Sequence, residues 1–249
     1  MLAETISFAL RLYQKYEVSP FFPYCLLPTA YSLDIFPSIK GLNNHMRRYD
    51  NYIWDFDGTL FDSYPHSTRA LYVTARHYGA EVTYDEVSRA IRHSFARAFQ
   101  RVGLSEAQLA MFHRLRADDA FPPPIVPFPH AEAVLRALCE GGARHTLYTH
   151  SNHKMSVRFL RQFGLDRYFD GWVTPDDPGF AMKPDPGAIR YILAHRGIDP
   201  ADAVMVGDRE IDMRCARDAG VDGILVDPDR LVAETCARYR VDDLVEIIS

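Results

Sequence analysis

The spacing of apolar residues alternates between two periods from residue 49 onward. Short apolar runs that end in polar residues predict strands at residues 52–54, 145–148, 172–173, 203–206 and 223–226. Between these runs, apolar residues at i, i+3 and i+4 spacing predict helices around residues 131–138, 157–163, 189–193 and 211–219. Strands that alternate with helices are typical of a parallel α/β sheet.

Helical spacing alone fills the stretch from residue 63 to residue 121. It predicts three helices, at Ala70 to Tyr78, Tyr84 to Gln100 and Glu106 to Ala117. Three consecutive prolines, Pro122 to Pro124, then end the helical pattern. We therefore expect a helical domain, residues 63–121, inserted after the first strand of an α/β core, residues 49–62 and 122–249, and covering the carboxyl edge of the sheet.

Residues 1–48 follow neither pattern. Tyr and Phe are interleaved with Pro, and no periodicity is sustained after Val18, so we predict an appendage to the core. Its first part, Leu2 to Tyr16, has the spacing of a short amphipathic helix, whereas a signal peptide would have a basic start and an unbroken apolar centre. Because Met46 is followed at once by two arginines and the first strand, our hypothesis is that the natural chain begins there.

The composition excludes several classes of protein. With 249 residues, 47% of them hydrophobic and 24% charged, the chain can bury a core and is neither disordered nor fibrous. A net charge of −5 without a basic stripe argues against binding to nucleic acid. The four cysteines are far apart and form no CxxC pair, which favours a reducing cytoplasm. No apolar run reaches the roughly 18 residues of a membrane span.

The sharpest chemical signal follows the first predicted strand. Asp55-Phe56-Asp57-Gly58-Thr59 places two carboxylates at the carboxyl end of a parallel strand, where open α/β sheets bind ligands. Alternate residues of an extended chain share a direction, so both carboxylates can face one pocket, and Gly58 permits the tight turn that follows. The alternative interpretation is a turn that is merely rich in Asp.

Three further positions lie at the same predicted edge. Thr149 ends a strand, and its hydroxyl together with the backbone N–H of His150 suits a phosphoryl oxygen, although a plain helix N-cap is the alternative. Lys183 precedes Pro184 in a loop, where a solvated surface charge is the alternative. Asp208 and Asp212 begin a helix, where they suit a divalent cation or simply the helix dipole.

In their order and placement these residues resemble the motifs of the haloacid dehalogenase superfamily of phosphotransferases, in its subfamily with a helical cap. The resemblance covers residues 49 to about 230 and rests on four motifs, matched by Asp55 to Thr59, Thr149, Lys183-Pro184, and Asp208 with Asp212. The sequence departs from its nearest relatives at Gly187 and at His150-Ser151-Asn152. The resemblance implies a three-layer, Rossmann-like α/β core with a parallel sheet and an inserted all-helical cap domain.

The resemblance also implies a mechanism for phosphate ester hydrolysis. Asp55 is then the nucleophile that forms an aspartyl-phosphate, and Asp57 is the general acid and base. Mg²⁺ is the expected cofactor, held by the Asp55 side chain, the Asp57 backbone carbonyl and Asp208, with Asp212 helping through water or by holding Lys183. The implied phosphate-binding residues are Thr149, His150, Lys183 and Gly58.

The inserted helices are expected to select the substrate. Arg92, His93, Ser94 and Arg97 on the second predicted helix, and Tyr64 and His66 before the first, are candidates for this, although a solvated helix face is the alternative. We expect a small polar phosphorylated metabolite, such as 2-phosphoglycolate or a sugar phosphate, and a monomer or homodimer with no membrane partner. Asp57 argues against a dehalogenase, whereas a phosphosugar mutase and a non-catalytic binding module stay open.

Overall fold

The computed structural model describes residues 46–118 and 120–249. The predicted appendage up to residue 45 and its amphipathic helix at Leu2 to Tyr16 lie outside these residues. Within them, no helix combines the length and hydropathy that crossing a membrane would require.

The described residues form eight strands: β1 (Asn51–Trp54), β2 (Phe61–Asp62), β3 (Val126–Pro127), β4 (Arg144–Tyr148), β5 (Phe169–Val173), β6 (Ala203–Gly207), β7 (Asp222–Val226) and β8 (Tyr239–Val241). Six of them form one parallel sheet in the order β5-β4-β1-β6-β7-β8, and β2 and β3 form a separate antiparallel pair. In the central strand, Trp54 lies opposite Leu147 on one side and Val206 on the other. An apolar run such as β1 suits this position because both faces of a parallel sheet are covered.

The same residues form eight α-helices: α1 (Tyr64–His77), α2 (Tyr84–His93), α3 (Phe95–Val102), α4 (Glu106–Arg116), α5 (Ala131–Glu140), α6 (His153–Gln162), α7 (Gly187–Arg196) and α8 (Glu210–Ala219). Short 3₁₀ helices lie at Asp166–Tyr168, Pro200–Asp202 and Leu244–Ile248. We call α1 to α4, which lie between β2 and β3 in the chain, the helical segment. The remaining helices alternate with the strands of the sheet.

Helices cover both faces of the sheet. Successive residues of β1 point to opposite faces. Ile53 packs with Ile192 of α7 and Met213 of α8, whereas Tyr52 and Trp54 face the side on which α5 packs against β4. The observed architecture is therefore the three-layer α/β core with inserted helices, and the predicted fold class is confirmed.

The β2–β3 pair joins the helical segment to the sheet. Phe61 lies opposite Pro127 and Asp62 opposite Val126, so the chain leaves and rejoins the core side by side. The predicted limits of the inserted domain, residues 63 and 121, lie beside this pair. The division of the chain into a core and a helical domain stays a prediction.

The helix predicted from Tyr84 to Gln100 is wrong as a single element, because Ser94 divides it into α2 and α3. Ser94 is extended, with φ −170° and ψ 150°, and its Oγ accepts the backbone N–H of Arg97 at the start of α3. Serine competes with the helical backbone for hydrogen bonds and therefore favours such a boundary. The first helix also begins earlier than predicted, at Tyr64.

Trp54 and His145 form a hydrogen bond between neighbouring strands inside the core. The indole N–H of Trp54 donates to Nδ1 of His145 over 2.8 Å, and both residues are fully buried. Burial lowers the pKa of His145 to about 4. The ring is therefore neutral at neutral pH, as an acceptor nitrogen requires.

We expect this histidine to make the fold less stable as the pH falls from about 6.5 to about 4. In that range the unfolded chain protonates His145, whose ordinary pKa is about 6.5, while the folded protein does not, so the free energy of unfolding decreases with falling pH. The contribution is on the order of 3 kcal/mol. Urea unfolding at a series of pH values across this range measures it.

His145→Leu should reduce this pH dependence, and it should cost about 1–3 kcal/mol at neutral pH because the Trp54 N–H loses its acceptor. His77→Asn, at an exposed position of α1, is the matched control and should keep the pH dependence of the unaltered protein. An undiminished pH dependence in His145→Leu would contradict the assignment.

Candidate active site

The carboxyl edge of the sheet brings the predicted site residues together. Asp55 follows β1, Thr149 follows β4 and Asp208 follows β6, and these three strands are neighbours. From β1 the strand order runs through β4 to one edge of the sheet and through β6 to the other. Open parallel sheets bind ligands at the point where the strand order reverses in this way, outside the carboxyl ends of the strands. Lys183 comes from the loop between β5 and α7, and Asp212 lies in the first turn of α8.

Two carboxylates contact the ammonium group of Lys183, and a third lies close to them. Its Nζ lies 2.7 Å from Asp55 Oδ1 and 2.7 Å from Asp212 Oδ1, and the three side chains are at most 1% exposed. One carboxylate oxygen each from Asp55, Asp208 and Asp212 lies within 4.8 Å of the others. The sequence predicted that these four residues converge, and the structure brings them together.

The acids of this cluster outnumber the cationic groups that face them, Lys183 and Arg209. Burial and the charge of Asp212 raise the pKa of Asp55 to about 6 against the pull of Lys183. Burial chiefly, with the charges of Asp55 and Asp212, raises the pKa of Asp208 to about 8. Burial would raise the pKa of Asp212, but the charges of Lys183 and Arg209 outweigh this effect and lower it. Burial would lower the pKa of Lys183, but the charges of Asp212 and Asp55 outweigh this effect and raise it.

The donor set fits a hard divalent cation. Asp55 Oδ2 and Asp208 Oδ1 are buried without a hydrogen-bond partner among the described residues, and a buried carboxylate oxygen without a partner is costly. The backbone carbonyl of Asp57, the other predicted ligand, lies 3.3 Å from the Tyr64 hydroxyl, which donates to Asp208 Oδ2 over 2.6 Å. A compact set of oxygen atoms of this kind is what Mg²⁺ prefers.

Asp57 is held by three groups to which the sequence analysis gave no role. Its Oδ1 accepts hydrogen bonds from the Ser63 hydroxyl and from the Arg116 guanidinium, the latter over 3.3 Å, and its Oδ2 accepts one from the Ser151 hydroxyl. Ser63 follows β2, Ser151 follows β4, and Arg116 ends α4. No local sequence pattern marks these residues, because only the tertiary fold brings them to Asp57.

Thr149 and His150 lie beside Lys183 and Asp57. Thr149 Oγ1 accepts the backbone N–H of Ser151 over 3.0 Å, which leaves its hydroxyl hydrogen free to donate. His150 Nε2 accepts the backbone N–H of Lys183 over 2.7 Å. Burial chiefly, with the charges of Lys183 and Arg209, lowers the pKa of His150 to about 4. Its neutral ring therefore anchors the Lys183 loop, and the phosphate contact predicted for its backbone N–H stays a prediction.

Gly58 provides the space that Asp208 needs. Its backbone N–H donates to the carbonyl of Phe61 over 2.9 Å, and its predicted contact with phosphate stays a prediction. Its φ is +80°, and a Cβ there would lie 2.3 Å from Asp208 Oδ2 and 2.4 Å from a ring carbon of Tyr64. Only glycine allows the turn and the approach of Asp208 together.

A cavity of about 1050 Å³ opens between these core residues and the helical segment. The core contributes Gly58, Asp208 and Arg209 to its walls. The helical segment contributes Tyr64 at the start of α1 and, from α2, α3 and the junction between them, Arg89, Arg92, His93, Ser94, Arg97 and Arg101. Arg92 is 2.6 Å from Asp229, and Arg101 is 2.7 Å from Glu86. Arg89 and Arg97 make no ion pair within the described part of the chain.

Of the residues predicted to select the substrate, Arg92, His93 and Arg97 thus face the cavity, whereas His66 does not. His66 is buried, with Nδ1 2.7 Å from the carbonyl oxygen of Pro123 and Nε2 3.1 Å from that of Arg116. These contacts tie the start of the helical segment to its end. The substrate contact predicted for His66 is therefore corrected to a structural one.

Residues 52–226 match the family model of the haloacid dehalogenase-like hydrolases, so the chain belongs to this family. The match contains the whole carboxylate cluster, and the resemblance deduced from the four motifs is confirmed. The protein is therefore an enzyme of the hydrolase class.

Known relatives agree with this assignment. Phosphoglycolate phosphatase 1 of Pseudomonas aeruginosa is 30% identical over 68% of this chain and 66% of its own length, so the chain spans just under two thirds of that relative. A plasmid-encoded phosphoglycolate phosphatase of Cupriavidus necator is 33% identical over 69% of this chain and 78% of its own length. The crystal structure of a hydrolase from Streptococcus pneumoniae is 29% identical, with a TM-score of 0.55, over 71% of this chain and 92% of that one.

We expect Gly58→Ala to weaken Mg²⁺ binding by about tenfold or more, because the new Cβ would displace Asp208. Titration calorimetry with Mg²⁺ measures the affinity, and thermal unfolding measures the stability. The strain of a positive φ adds a loss of about 1–2 kcal/mol in stability.

Gly79→Ala is the matched control, since its φ is +82° and a Cβ there would meet no atom within 4 Å. It should lose similar stability while keeping its Mg²⁺ affinity. If both variants bound Mg²⁺ equally well, the spatial role of Gly58 would be refuted.

Proposed function

We propose that this protein is a Mg²⁺-dependent phosphatase that hydrolyses a small phosphorylated metabolite through an aspartyl-phosphate on Asp55. The observation that carries the proposal is the buried cluster of Asp55, Asp208, Asp212 and Lys183, of which Asp208 also lines a cavity that five arginines share. Phosphate monoesters hydrolyse so slowly unaided that a catalyst must supply charge neutralisation and in-line positioning, and such a cluster is suited to both.

In the first step the Asp55 carboxylate attacks phosphorus, and the bond from phosphorus to the ester oxygen breaks. Lys183 engages Asp55 Oδ1, which leaves Oδ2 without a protein partner among the described residues. Asp57 gives its proton to the departing oxygen, so the alcohol leaves as a neutral molecule.

In the second step Asp57, now a carboxylate, takes a proton from water, and that water attacks the phosphorus. The bond between phosphorus and Asp55 breaks, inorganic phosphate leaves, and Asp55 is restored. The Thr149 hydroxyl and the Lys183 ammonium group hold phosphoryl oxygens during both steps. Asp55, the Asp57 carbonyl and Asp208 would hold Mg²⁺, with Asp212 close to them. The ion would neutralise negative charge on the carboxylates and the phosphoryl group.

The arginines of the cavity support a substrate with a second anionic group. Arg89 and Arg97 line the cavity without ion-pair partners in the described residues. Each can therefore bind an anion without first breaking an ion pair with a carboxylate. The two relatives named above are phosphoglycolate phosphatases. We therefore favour 2-phosphoglycolate, which carries a carboxylate beside its phosphate, over a sugar phosphate without a second anionic group. Residues 63–121 would then act as a cap domain that selects this substrate.

Asp55→Asn should lower phosphate release from p-nitrophenyl phosphate on the order of a thousandfold, because the amide cannot act as the nucleophile. EDTA should abolish the activity of the unaltered protein, and Mg²⁺ should restore it. Asp50→Asn, at the opposite end of β1, is the matched control and should retain full activity. Turnover that resists EDTA, or isomerisation of a sugar phosphate without phosphate release, would contradict the proposal.

Arg97→Ala should raise the KM for 2-phosphoglycolate about tenfold, which corresponds to the loss of one charge-assisted hydrogen bond. The KM for p-nitrophenyl phosphate, which lacks a second anion, should change little. Arg114→Ala, on an exposed part of α4, is the control and should alter neither KM. Equal changes for both substrates would show that Arg97 does not recognise the second anion.

A further inference from the structure

Arg116 of the helical segment contacts Asp57, the proposed general acid and base. Arg116 is the last residue of α4, and its terminal nitrogen lies 3.3 Å from Asp57 Oδ1 and 3.2 Å from Ser151 Oγ. Its Nε donates to Ser67 Oγ of α1 over 3.1 Å, and the guanidinium lies over the Phe95 ring, 4.9 Å from the centroid.

These contacts fix the guanidinium from several directions. The Arg116 side chain is only 15% exposed and that of Asp57 only 8%, so solvent screens the pair far less than a surface ion pair. The planar fork of arginine can engage Ser67 through one nitrogen while another faces Asp57 and Ser151, a geometry that the point charge of lysine cannot reproduce. The side chain is thus suited to hold another group in one orientation.

The orientation of the Asp57 carboxylate depends on both parts of the molecule. Ser63 and Ser151, at the edge of the core, donate to different oxygens of the carboxylate, and Arg116 adds a third contact from the helical segment. A movement of α4 that withdrew Arg116 would remove the charged contact and leave only the hydroxyl groups. Proton transfer depends steeply on such placement, since a shift of about 1 Å can cost a hundredfold in rate.

From this geometry we infer that Arg116 is a positioning residue, which holds the Asp57 carboxylate in place for proton transfer and so couples that step to the position of the helical segment. The inference rests on the proposed function, in which Asp57 gives a proton to the leaving oxygen. Arg116 acts through Asp57 and needs no contact with the substrate.

The test compares two leaving groups. An alkyl phosphate such as 2-phosphoglycolate needs a proton on its departing oxygen, whereas p-nitrophenolate is stable as an anion and needs none. The ratio kcat/KM reports the steps up to the cleavage of the ester bond, so the later action of Asp57 on water does not enter it. A misplaced Asp57 therefore lowers kcat/KM for the alkyl ester alone.

Arg116→Ala should lower kcat/KM for the alkyl ester by at least about tenfold, a part of the 10²- to 10⁴-fold that a general acid supplies, and should lower kcat/KM for p-nitrophenyl phosphate by less than about threefold. Arg116→Lys should recover part of the loss. Ser67→Ala, which removes the partner of Arg116 Nε without touching Asp57, should show a smaller loss with the same selectivity. Thermal unfolding of each variant monitors the fold.

Arg114→Lys is the control, because Arg114 is an exposed cation two residues away on the same helix, and it should change neither ratio. An equal fall for both esters would overturn the inference, since Arg116 would then bind the phosphoryl group or support the fold. An unchanged ratio for the alkyl ester would overturn it as well. Failure of the unaltered protein to release phosphate from either ester would instead refute the proposed function, and the inference with it.

Discussion

The buried ammonium group of Lys183, shared between two buried carboxylates, is the interaction on which the rest of the site depends. Asp55 and Asp212 can remain ionised away from water only because this group lies 2.7 Å from each of them. The neighbouring residues keep it there. The neutral ring of His150 holds the backbone of Lys183, and the backbone N–H of Arg209 donates to the second oxygen of Asp212. Asp208 is paired with Arg209, whose Nε lies 3.7 Å from its Oδ1, so three carboxylates face only two cationic groups. A divalent cation would remove this shortage of positive charge.

The sheet supplies the rigidity that this charge balance requires. Asp55, the candidate nucleophile, follows the central strand β1. The parallel strands β4 and β6 pair with β1 on both sides and so fix the position of its carboxyl end. The hydrogen bond between Trp54 and His145 joins β1 to β4 inside the core; Trp54 directly precedes Asp55, and His145 lies four residues before Thr149. A change in packing at this level would shift two groups of the site relative to each other. The stability of the core and the geometry of the site are therefore linked through the same two strands.

The sequence predicted those parts of the structure that short stretches of chain determine. The strand ends at Asp55, Thr149 and Asp208 follow from apolar runs that stop at polar residues, and their convergence follows from the topology of a parallel sheet. Ser63, Ser151 and Arg116 could not be predicted, because their role comes from proximity to Asp57 across the fold. Local sequence also gave wrong predictions where two roles suit one residue. Ser94 separates two helices within one amphipathic pattern, and the buried ring of His66 joins the start of the helical segment to its end.

The distribution of charge separates the chemistry of the site from the choice of substrate. The chain carries a net charge of −5, and its reactive centre is acidic, so an anionic substrate gains nothing from the overall charge. Two unit charges 10 Å apart in water interact by only about 0.4 kcal/mol, and salt reduces this further. Attraction must therefore come from cations in the cavity itself, where low-dielectric walls strengthen it. Arg89 and Arg97 are in that position and stand on exposed faces of α2 and α3. Substitutions there can alter which anion is held without disturbing the buried cluster of Asp55, Asp208, Asp212 and Lys183, so long as Arg116 still contacts Asp57.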